Sequence, residues 1–414
     1  MSESWLGQRL ELRIGAVAHG GHCVARHLGR VLFVRHCLPG ELVLAEVTED
    51  LGGSYCRADA VEIREPAPDR VAPPCRYAHP GGCGGCDFQH VSPAGQRALK
   101  AAVVAEQLSR LAGIERAVTV QPLAPDDLGW RRRIRFAVDP AGRLALHRHR
   151  SSATIAIDEC LIGAPGVADA PGRPGTWQGL AEVEFAVDDD GRTAQVGYLR
   201  STPRGRQRAR LRAVRTEGAE RLHYRVGGAE FAIEPAGFWQ AHPQAAERFS
   251  ATVLAGTAPR PGERALELYA GAGLFTAALA GAVGPSGRVL GLEGDAGSVR
   301  AAAGNLAGTG WAEVRRAPVT ADTVAAAVAE LGRPDLVVLD PPRTGAGGPV
   351  LQAVLAAAPR VVGYVACDPA ALARDLRTAQ DAGWELAELS AFDAFPMTHH
   401  VECIAILRPR NTVG

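Results

Sequence analysis

The sequence predicts an α/β protein whose C-terminal part is a doubly wound, Rossmann-like domain, and three patterns support this prediction. From about residue 240 onward, apolar runs typical of strands alternate with Ala-rich helical stretches, as a parallel sheet covered by helices requires. Residues 5–65 alternate apolar and polar positions in short runs, which predicts a small β-barrel. Residues 128–234 contain short strand-like runs with Gly- and Asp-rich turns, which predicts a β-rich central domain.

Domain boundaries follow from these patterns and from chain length. A chain of 414 residues exceeds what one hydrophobic core usually serves, so we expect two or three domains. The boundaries are predicted at 1–66 for the barrel, 72–234 for the central domain and 235–414 for the Rossmann-like domain. A linker rich in proline separates the first two, and a helix should start at Ser92 and Pro93, where a capping serine precedes a proline.

The charge of the chain is balanced overall but uneven locally. A formal net charge of zero argues against binding to nucleic acid by bulk charge alone. Three basic clusters stand out: Arg131, Arg132, Arg133 and Arg135; His147, Arg148, His149 and Arg150; and Arg204, Arg206, Arg208, Arg210 and Arg212. The alternate spacing of the third cluster is equally typical of one solvated face of a strand.

The compartment is predicted from the absence of targeting patterns. The first residues lack a basic start followed by an apolar run, and no stretch approaches the ~18 apolar residues of a membrane span. We therefore expect a cytoplasmic protein that does not enter a membrane. In that compartment the nine cysteines are expected to be metal ligands, catalytic thiols or buried small residues rather than disulfides.

A glycine turn marks the start of the Rossmann-like domain. Gly271 and Gly273 follow an apolar strand and precede an Ala-rich helix, so a ligand could approach the backbone there, although a tight turn alone would look the same. Glu293 ends the next strand, where a carboxylate can accept both ribose hydroxyls of an adenosine. The glycine spacing fits S-adenosylmethionine better than the dinucleotide fingerprint.

Three further side chains of possible chemical importance stand at strand ends. Asp340 and two prolines follow one strand, and Cys367 follows the next, where it could be a nucleophile or a buried small residue. Glu402 precedes the last apolar strand, either as a functional group or as a solvated carboxylate. A metal site of His399, His400 and Glu402 is a weaker alternative, because adjacent histidines on a strand point to opposite faces.

Three clustered cysteines, Cys75, Cys83 and Cys86, predict a metal site. Intervening glycines would let the backbone wrap around a metal group, and Cys160 is the candidate fourth ligand. The spacing alone permits either zinc or a [4Fe-4S] cluster.

Together these elements resemble the RNA uracil-5 methyltransferases that carry an N-terminal TRAM domain and an iron-sulfur cluster, over almost the whole chain. The TRAM-like residues are Gly20-Gly-His-Cys-Val-Ala-Arg26, Val31-Leu-Phe-Val34 and Leu38-Pro-Gly-Glu41. The resemblance implies an RNA-binding barrel of the oligonucleotide-binding type. It also implies a [4Fe-4S] cluster rather than zinc, with the ligands Cys75, Cys83, Cys86 and Cys160.

The same resemblance implies roles for the residues of the C-terminal domain. Cys367 in Cys-Asp-Pro matches the nucleophile, and Glu402 matches the base. The positions that match cofactor contacts are Gln240, Tyr269, Glu293 and Asp340, and the glycine turn adds Gly271 and Gly273 as cofactor-binding candidates. Phe238, Trp239 and the arginine clusters are expected to stack on bases and to contact RNA phosphates. We expect a monomer acting on ribosomal RNA rather than transfer RNA.

The sequence departs from the family pattern at four points. The first cysteine spacing is longer than the shortest family pattern, Ala366 stands where serine is frequent, and Leu274 replaces a polar residue. No asparagine between Glu293 and Asp340 clearly fills an additional cofactor position. Two other functions compete: a noncatalytic RNA-binding or cluster-based sensor, which predicts loss of the catalytic pair, and methylation of another target such as an amino group.

Overall fold

The computed structural model describes residues 4–125, 127–173, 175, 177–201 and 211–410. Within these residues the chain forms the three predicted regions in the predicted order. No helix in the described part of the chain is both long and apolar enough to cross a membrane.

The N-terminal region is a six-stranded sheet in the order β1-β5-β6-β4-β3-β2. Its strands are β1 (Arg9–Arg13), β2 (Val17–Ala18), β3 (His22–His27), β4 (Arg30–Arg35), β5 (Leu42–Glu49) and β6 (Tyr55–Glu65). Only β4 and β6 run parallel among its paired strands, and every other pair is antiparallel. Alternate residues such as Leu32, Val34 and Val43 are fully buried in one core, which confirms the predicted period of two.

The first long helix leaves the N-terminal region and packs on the C-terminal sheet. Helix α1 (Pro93–Gln107) starts as predicted, because the Ser92 side chain accepts a hydrogen bond from Gly95 N and proline occupies the first turn. A π-helical turn, Leu108–Ala112, continues it. The next strand, β7 (Val120–Pro122), pairs parallel with β21 at the edge of the C-terminal sheet. Residues 93–122 were predicted within the central domain, whereas they pack against the C-terminal one.

The central region is an antiparallel sheet in the order β10-β9-β8-β11-β12-β13, with a separate hairpin. Its strands are β8 (Arg133–Val138), β9 (Leu144–His147), β10 (Thr154–Ala156), β11 (Glu182–Val187), β12 (Thr193–Arg200) and β13 (Leu211–Gly218), and the hairpin is β14 (Leu222–Val226) and β15 (Ala229–Ile233). A short 3-10 turn, Ala170–Gly172, packs on the sheet. Phe136 and Phe185 meet edge to face in its core.

The C-terminal region is an eight-stranded sheet in the order β18-β17-β16-β19-β20-β22-β21-β7. Its own strands are β16 (Arg264–Leu268), β17 (Arg288–Glu293), β18 (Ala312–Arg316), β19 (Leu336–Leu339), β20 (Val361–Ala366), β21 (Trp384–Asp393) and β22 (Glu402–Pro409). The helices are α2 (Ala245–Thr257), α3 (Leu274–Val283), α4 (Ala296–Asn305), α5 (Ala321–Leu331), α6 (Gly348–Ala356) and α7 (Pro369–Asp381).

Helices cover both faces of this sheet, which confirms the doubly wound prediction. One core packs α5, α6, α7 and α1 against the strands, and the other packs α2 and α3. Strands β16 to β20 are parallel, whereas β22 runs antiparallel between β20 and β21. All four residues of β19 are completely buried, as expected for a central parallel strand. The carboxyl ends of β16, β17, β19 and β20 therefore meet at one edge.

Candidate active site

A cavity of about 940 Å³ lies at this edge of the C-terminal sheet. It extends from the turn after β16 to the loop that contains the clustered cysteines. The predicted cofactor and catalytic residues that line it are Gln240, Tyr269, Gly271, Glu293, Asp340, Cys367 and Glu402. The structure thus brings seven of the eight predicted residues to one cavity.

The turn between β16 and α3 lines one side of the cavity. Tyr269 has a φ of 63° and Gly271 a φ of 53°, both in the left-handed region. A tyrosine rarely adopts that conformation, and such backbone is concentrated at functional sites. Gly273, the eighth predicted residue, does not line the cavity. It caps α3 with a φ of 88°, so its contribution is to shape the turn.

Glu293 is fixed by backbone amides at the end of β17. Its Oε2 accepts a hydrogen bond from Gly271 N at 2.9 Å, and its Oε1 accepts one from Asp295 N at 2.7 Å. Because each carboxylate oxygen has two acceptor positions, both oxygens can still accept from a ligand hydroxyl. This geometry suits the recognition of a ribose that the sequence predicted for Glu293.

Glu267 is a candidate site residue that the sequence analysis did not identify. It lines the cavity, is 1% exposed, and its Oε1 has no hydrogen-bond partner, while Oε2 accepts from the Thr276 hydroxyl. Burial raises the pKa of Glu267 to about 8. The signal in the sequence was one acidic residue inside the apolar strand β16.

Among the described residues, no asparagine lines the cavity, so none occupies the additional cofactor position that the sequence analysis also left unfilled. Asn305 accepts a hydrogen bond from Ala232 N and donates one to Ala272 O, and it does not line the cavity. Ser298 lines the cavity instead, on the first turn of α4. Asn305 therefore stabilises the turn after β16 rather than facing the ligand space.

Cys367, Glu402 and Asp340 line the cavity and interact electrostatically. Burial, followed by the charges of Glu402 and Asp340, raises the pKa of the Cys367 thiol to about 12. Burial also raises the pKa of Glu402 well above its ordinary value, and Asp340 adds to that shift. The pKa of Asp340 rises to about 7 through burial alone. The resting site therefore favours the protonated forms of Cys367 and Glu402.

Arg343 is the guanidinium that opposes these shifts. It lowers the pKa of both Cys367 and Glu402, and its Nη2 donates to the His400 ring at 2.7 Å. The neighbouring His399 ring donates to Asp87. Both histidines therefore already have hydrogen-bond partners. Among the described residues, no group of three or more His, Cys, Asp or Glu is arranged to hold a metal ion. Neither observation favours the alternative metal site of His399, His400 and Glu402.

The two aromatic residues expected to stack on bases both line the cavity but differ in exposure. Phe238 is 69% exposed and lines the cavity. The Trp239 ring is buried and stacks on Tyr224, with ring centroids 5.0 Å apart. Of the two, Phe238 is available to a base, whereas the Trp239 indole belongs to the core.

The four predicted metal ligands line a second cavity of about 300 Å³. They are Cys75, Cys83, Cys86 and Cys160. Gly85 N donates to Cys83 Sγ and the Gln89 side chain to Cys86 Sγ, each at 3.4 Å. Burial raises the pKa of Cys160 to about 11, so a free thiol there stays protonated.

Glycines allow the cysteine loop to fold around this cavity. A Cβ on Gly82 would lie 2.3 Å from Tyr77 O, and one on Gly84 would lie 2.5 Å from His149 N. Neither approach is possible for a larger residue. Glycine at both positions is therefore what permits the close backbone packing of the cysteine loop.

The arginine clusters are less available to RNA than the sequence indicated. Arg133 and Arg135 both pair with Glu184, and Arg132 pairs with Asp189. Arg148 and Arg150 are exposed. In the third cluster, Arg204, Arg206, Arg208 and Arg210 lie outside the described residues, and Arg212 is exposed.

Comparison with known protein families gives matches to two parts of the chain. Residues 236–410 match the tRNA (Uracil-5-)-methyltransferase family, and residues 3–61 match the TRAM domain. An uncharacterized RNA methyltransferase of Streptomyces avermitilis is 44% identical over 98% of this chain and 99% of its own. The 23S rRNA (uracil(1939)-C(5))-methyltransferase RlmD of Shewanella sp. ANA-3 is 30% identical over 98% of this chain and 97% of its own.

A solved structure has the same fold. The tRNA (uracil-54, C5)-methyltransferase of Pyrococcus abyssi, in complex with S-adenosyl-L-homocysteine, aligns with a TM-score of 0.71 and 21% identity. The alignment covers 96% of this chain and 100% of that one. The same family is indicated by the relatives that align over nearly the whole chain, by the two matched regions and by the cavity at the sheet edge. The chain belongs to the S-adenosylmethionine-dependent RNA uracil-5 methyltransferases.

Proposed function

We propose that this methyltransferase modifies a uridine of ribosomal RNA through a covalent adduct formed by Cys367 and resolved by Glu402. The observation that supports this proposal best is the position of the thiol and the buried carboxylate in one cavity with the glycine turn. A noncatalytic protein on this fold would not need both groups, and methylation of an amino group would not need the thiol.

The chemistry explains why a thiol and a carboxylate occur together. Carbon 5 of uracil is a weak nucleophile, so the Cys367 thiolate first adds to carbon 6 and converts carbons 4 and 5 into an enolate. S-adenosylmethionine, when bound, supplies a methyl group on a positively charged sulfur, which carbon 5 accepts. Glu402 then removes the hydrogen of carbon 5 as a proton, the bond from sulfur to carbon 6 breaks, and the thiolate of Cys367 is released.

Other residues of the cavity are the proposed cofactor contacts. Glu293 is proposed to accept the ribose hydroxyls, which is supported by its position beside the Gly271 amide, and glycine at 271 leaves room for close approach to the turn. Gln240, Tyr269 and Asp340 line the same space. The carboxyl groups of Glu267, which is buried, and Asp340, which is half-buried, suit a ligand that carries positive charge, since neither accepts a hydrogen bond from a cationic side chain among the described residues.

The four cysteines are the proposed ligands of a [4Fe-4S] cluster, and this is supported by the single cavity of about 300 Å³ that all four line. Zinc is the alternative, although among the described residues no three or more His, Cys, Asp or Glu are arranged to hold a single metal ion. The pKa of the Cys83, Cys86 and Cys160 thiols is raised, but a bound metal replaces the thiol protons and stabilises the thiolates. The cluster would supply cross-linking between the cysteine loop and Cys160, which are more than 70 residues apart in sequence.

Ribosomal RNA is the preferred substrate because relatives named for it are 30% identical over 98% of this chain. Two Shewanella relatives are named 23S rRNA methyltransferases and include the cysteine loop and the TRAM region. The family named for transfer RNA matches residues 236–410, and the solved transfer RNA enzyme, although it aligns over 96% of this chain, is only 21% identical. Transfer RNA is the alternative substrate. The exposed basic residues Arg148 and Arg150, beside the cysteine cavity, are candidates for phosphate contacts.

We expect 5-methyluridine to disappear from one position of 23S ribosomal RNA when the gene is deleted, because one enzyme of this class acts on a specific uridine. Sequencing-based mapping of total RNA from deleted and complemented cells measures this directly. If 5-methyluridine were lost from a transfer RNA alone, the substrate would be transfer RNA and the ribosomal RNA proposal would be wrong.

We expect Cys367→Ala and Glu402→Gln to stop the reaction at different points. Cys367→Ala cannot add to carbon 6, so neither product nor a covalent adduct should form. Glu402→Gln should form an adduct that already carries the methyl group, while turnover falls by about 10²–10⁴-fold. Denaturing gels of RNA with labelled cofactor measure both outcomes. Cys403→Ala is the matched control, because this buried thiol does not line the cavity. An adduct formed by Cys367→Ala would refute the mechanism.

We expect adduct formation to accelerate with pH. The reactive form of Cys367 is the thiolate and its pKa is about 12, so the rate should rise by about 10-fold per unit from pH 6 to 9. Arg343→Met should shift the profile to higher pH, because Arg343 lowers that pKa. The rate of adduct formation in the Glu402→Gln background measures this, with Arg333→Met as a control outside the cavity. A rate independent of pH would contradict a protonated resting thiol.

We expect anaerobically purified protein to be brown, because thiolate-to-iron charge transfer absorbs visible light and zinc does not. Cys83→Ala and Cys86→Ala should lose this absorption, whereas Cys56→Ala, a buried thiol of the N-terminal core, should retain it. Absorption spectra with iron and zinc analysis are the measurements. A colourless protein with one zinc per chain would refute the cluster and leave the methyltransferase chemistry unaffected.

A further inference from the structure

The loop between β21 and β22 carries much of one wall of the active-site cavity. Its residues Phe395, Thr398, His399 and His400 line the cavity, and Glu402 begins β22 directly after it. The position of the proposed base therefore depends on what holds this loop.

The loop is held by the segment that follows the third clustered cysteine. The amides of Asp87 and Phe88 both donate to Met397 O at 2.9 Å, and Gln96 Oε1 accepts from Met397 N at 2.7 Å. Asp87 Oδ2 accepts from His399 Nδ1 at 2.6 Å and from His399 N at 3.1 Å. These contacts join parts of the chain that are about 300 residues apart.

A continuous series of contacts leads from Asp87 to the centre of the cavity. The rings of His399 and His400 lie against each other with centroids 4.1 Å apart. The His400 ring in turn accepts from Arg343 Nη2 at 2.7 Å. Arg343 is the group whose positive charge acts on both Cys367 and Glu402. Moving Asp87 would therefore move the guanidinium as well as the loop.

We propose that Asp87 is a positioning residue for methyl transfer: through His399 and His400 it fixes Arg343 beside Cys367 and sets the loop that carries Glu402. The proposal rests on the proposed roles of Cys367 and Glu402. It makes the cysteine loop part of the catalytic apparatus, since Asp87 directly follows Cys86. Asp87 does not itself need to touch the reacting atoms.

The N-terminal region packs on the same pair of residues. Gly21, in the turn between β2 and β3, lies so close that an added Cβ would be 2.9 Å from His399 Cβ and 3.1 Å from Asp87 Cβ. Gly29, in the next turn, has nearly the same positive φ, 82° against 79°, but nothing within 4 Å of an added Cβ. Alanine at Gly21 would therefore displace Asp87 and His399 and strain the backbone, whereas alanine at Gly29 would only strain the backbone.

The first test is Asp87→Asn, which keeps the size of the side chain and removes its charge. Displacement of Arg343 should slow alkylation of Cys367 by iodoacetamide at pH 8 about threefold to tenfold, because less thiolate is present. Displacement of Glu402 should make methylated adduct accumulate during turnover. Peptide mass spectrometry measures the first effect and denaturing gels the second. Asp188→Asn is the control, since Asp188 is a buried, hydrogen-bonded carboxylate that does not line the cavity.

The second test compares Gly21→Ala with Gly29→Ala. Both introduce the same backbone strain, but only Gly21→Ala should slow alkylation of Cys367 and accumulate adduct. If Asp87→Asn and Gly21→Ala lower only the melting temperature, with normal alkylation and no adduct, the positioning role is refuted. Equal defects in Gly29→Ala would also refute it. Alkylation needs no RNA, so this result is independent of whether the proposed adduct mechanism is correct.

Discussion

A buried ion pair between Lys100 and Asp393 holds the segments that form the active site. Lys100, the only lysine of the chain, is 1% exposed, and its Nζ lies 2.5 Å from Asp393 Oδ1 and 3.0 Å from Phe395 O. Removing one partner of such a pair costs about 3–5 kcal/mol, because the other charge is left buried alone. The pair joins α1 to the end of β21, where the loop to Glu402 begins. The cysteine loop, just before α1, is thereby kept against the catalytic sheet.

The active site is consequently a product of all three regions rather than of the Rossmann-like domain alone. Gly84 and Gly85 from the cysteine loop line the same cavity as Cys367, and Arg131 from the central region faces both that cavity and the cysteine cavity. Gly21 of the N-terminal region packs behind His399. A methyltransferase domain separated from its neighbours would lose one side of its cavity and the contacts that shape the loop before Glu402.

The sequence predicted those features whose signals are local. The glycine turn, the Ser92 cap and the strand periods each involve a few adjacent residues, and all occur where expected. The pairing of β7 with β21 and the contact of Asp87 with His399 depend on chain segments far apart, so no local pattern reveals them. The arginines show the same limit. Whether Arg133 faces RNA or Glu184 is decided by the register of β8 against β11, which composition does not encode.

Charge is distributed along the cavity in a way that fits a cationic cofactor. Glu267, Glu293 and Asp340 line the end formed by the sheet, whereas Arg131 and Asp87 line the part near the cysteine loop. The three carboxyl groups at the sheet suit the proposed position of a positively charged sulfonium. Because burial raises the pKa of Cys367 and Glu402, a positive charge bound beside them favours their ionised forms. We expect a bound sulfonium to act on the pKa of both groups in the same direction as Arg343 does.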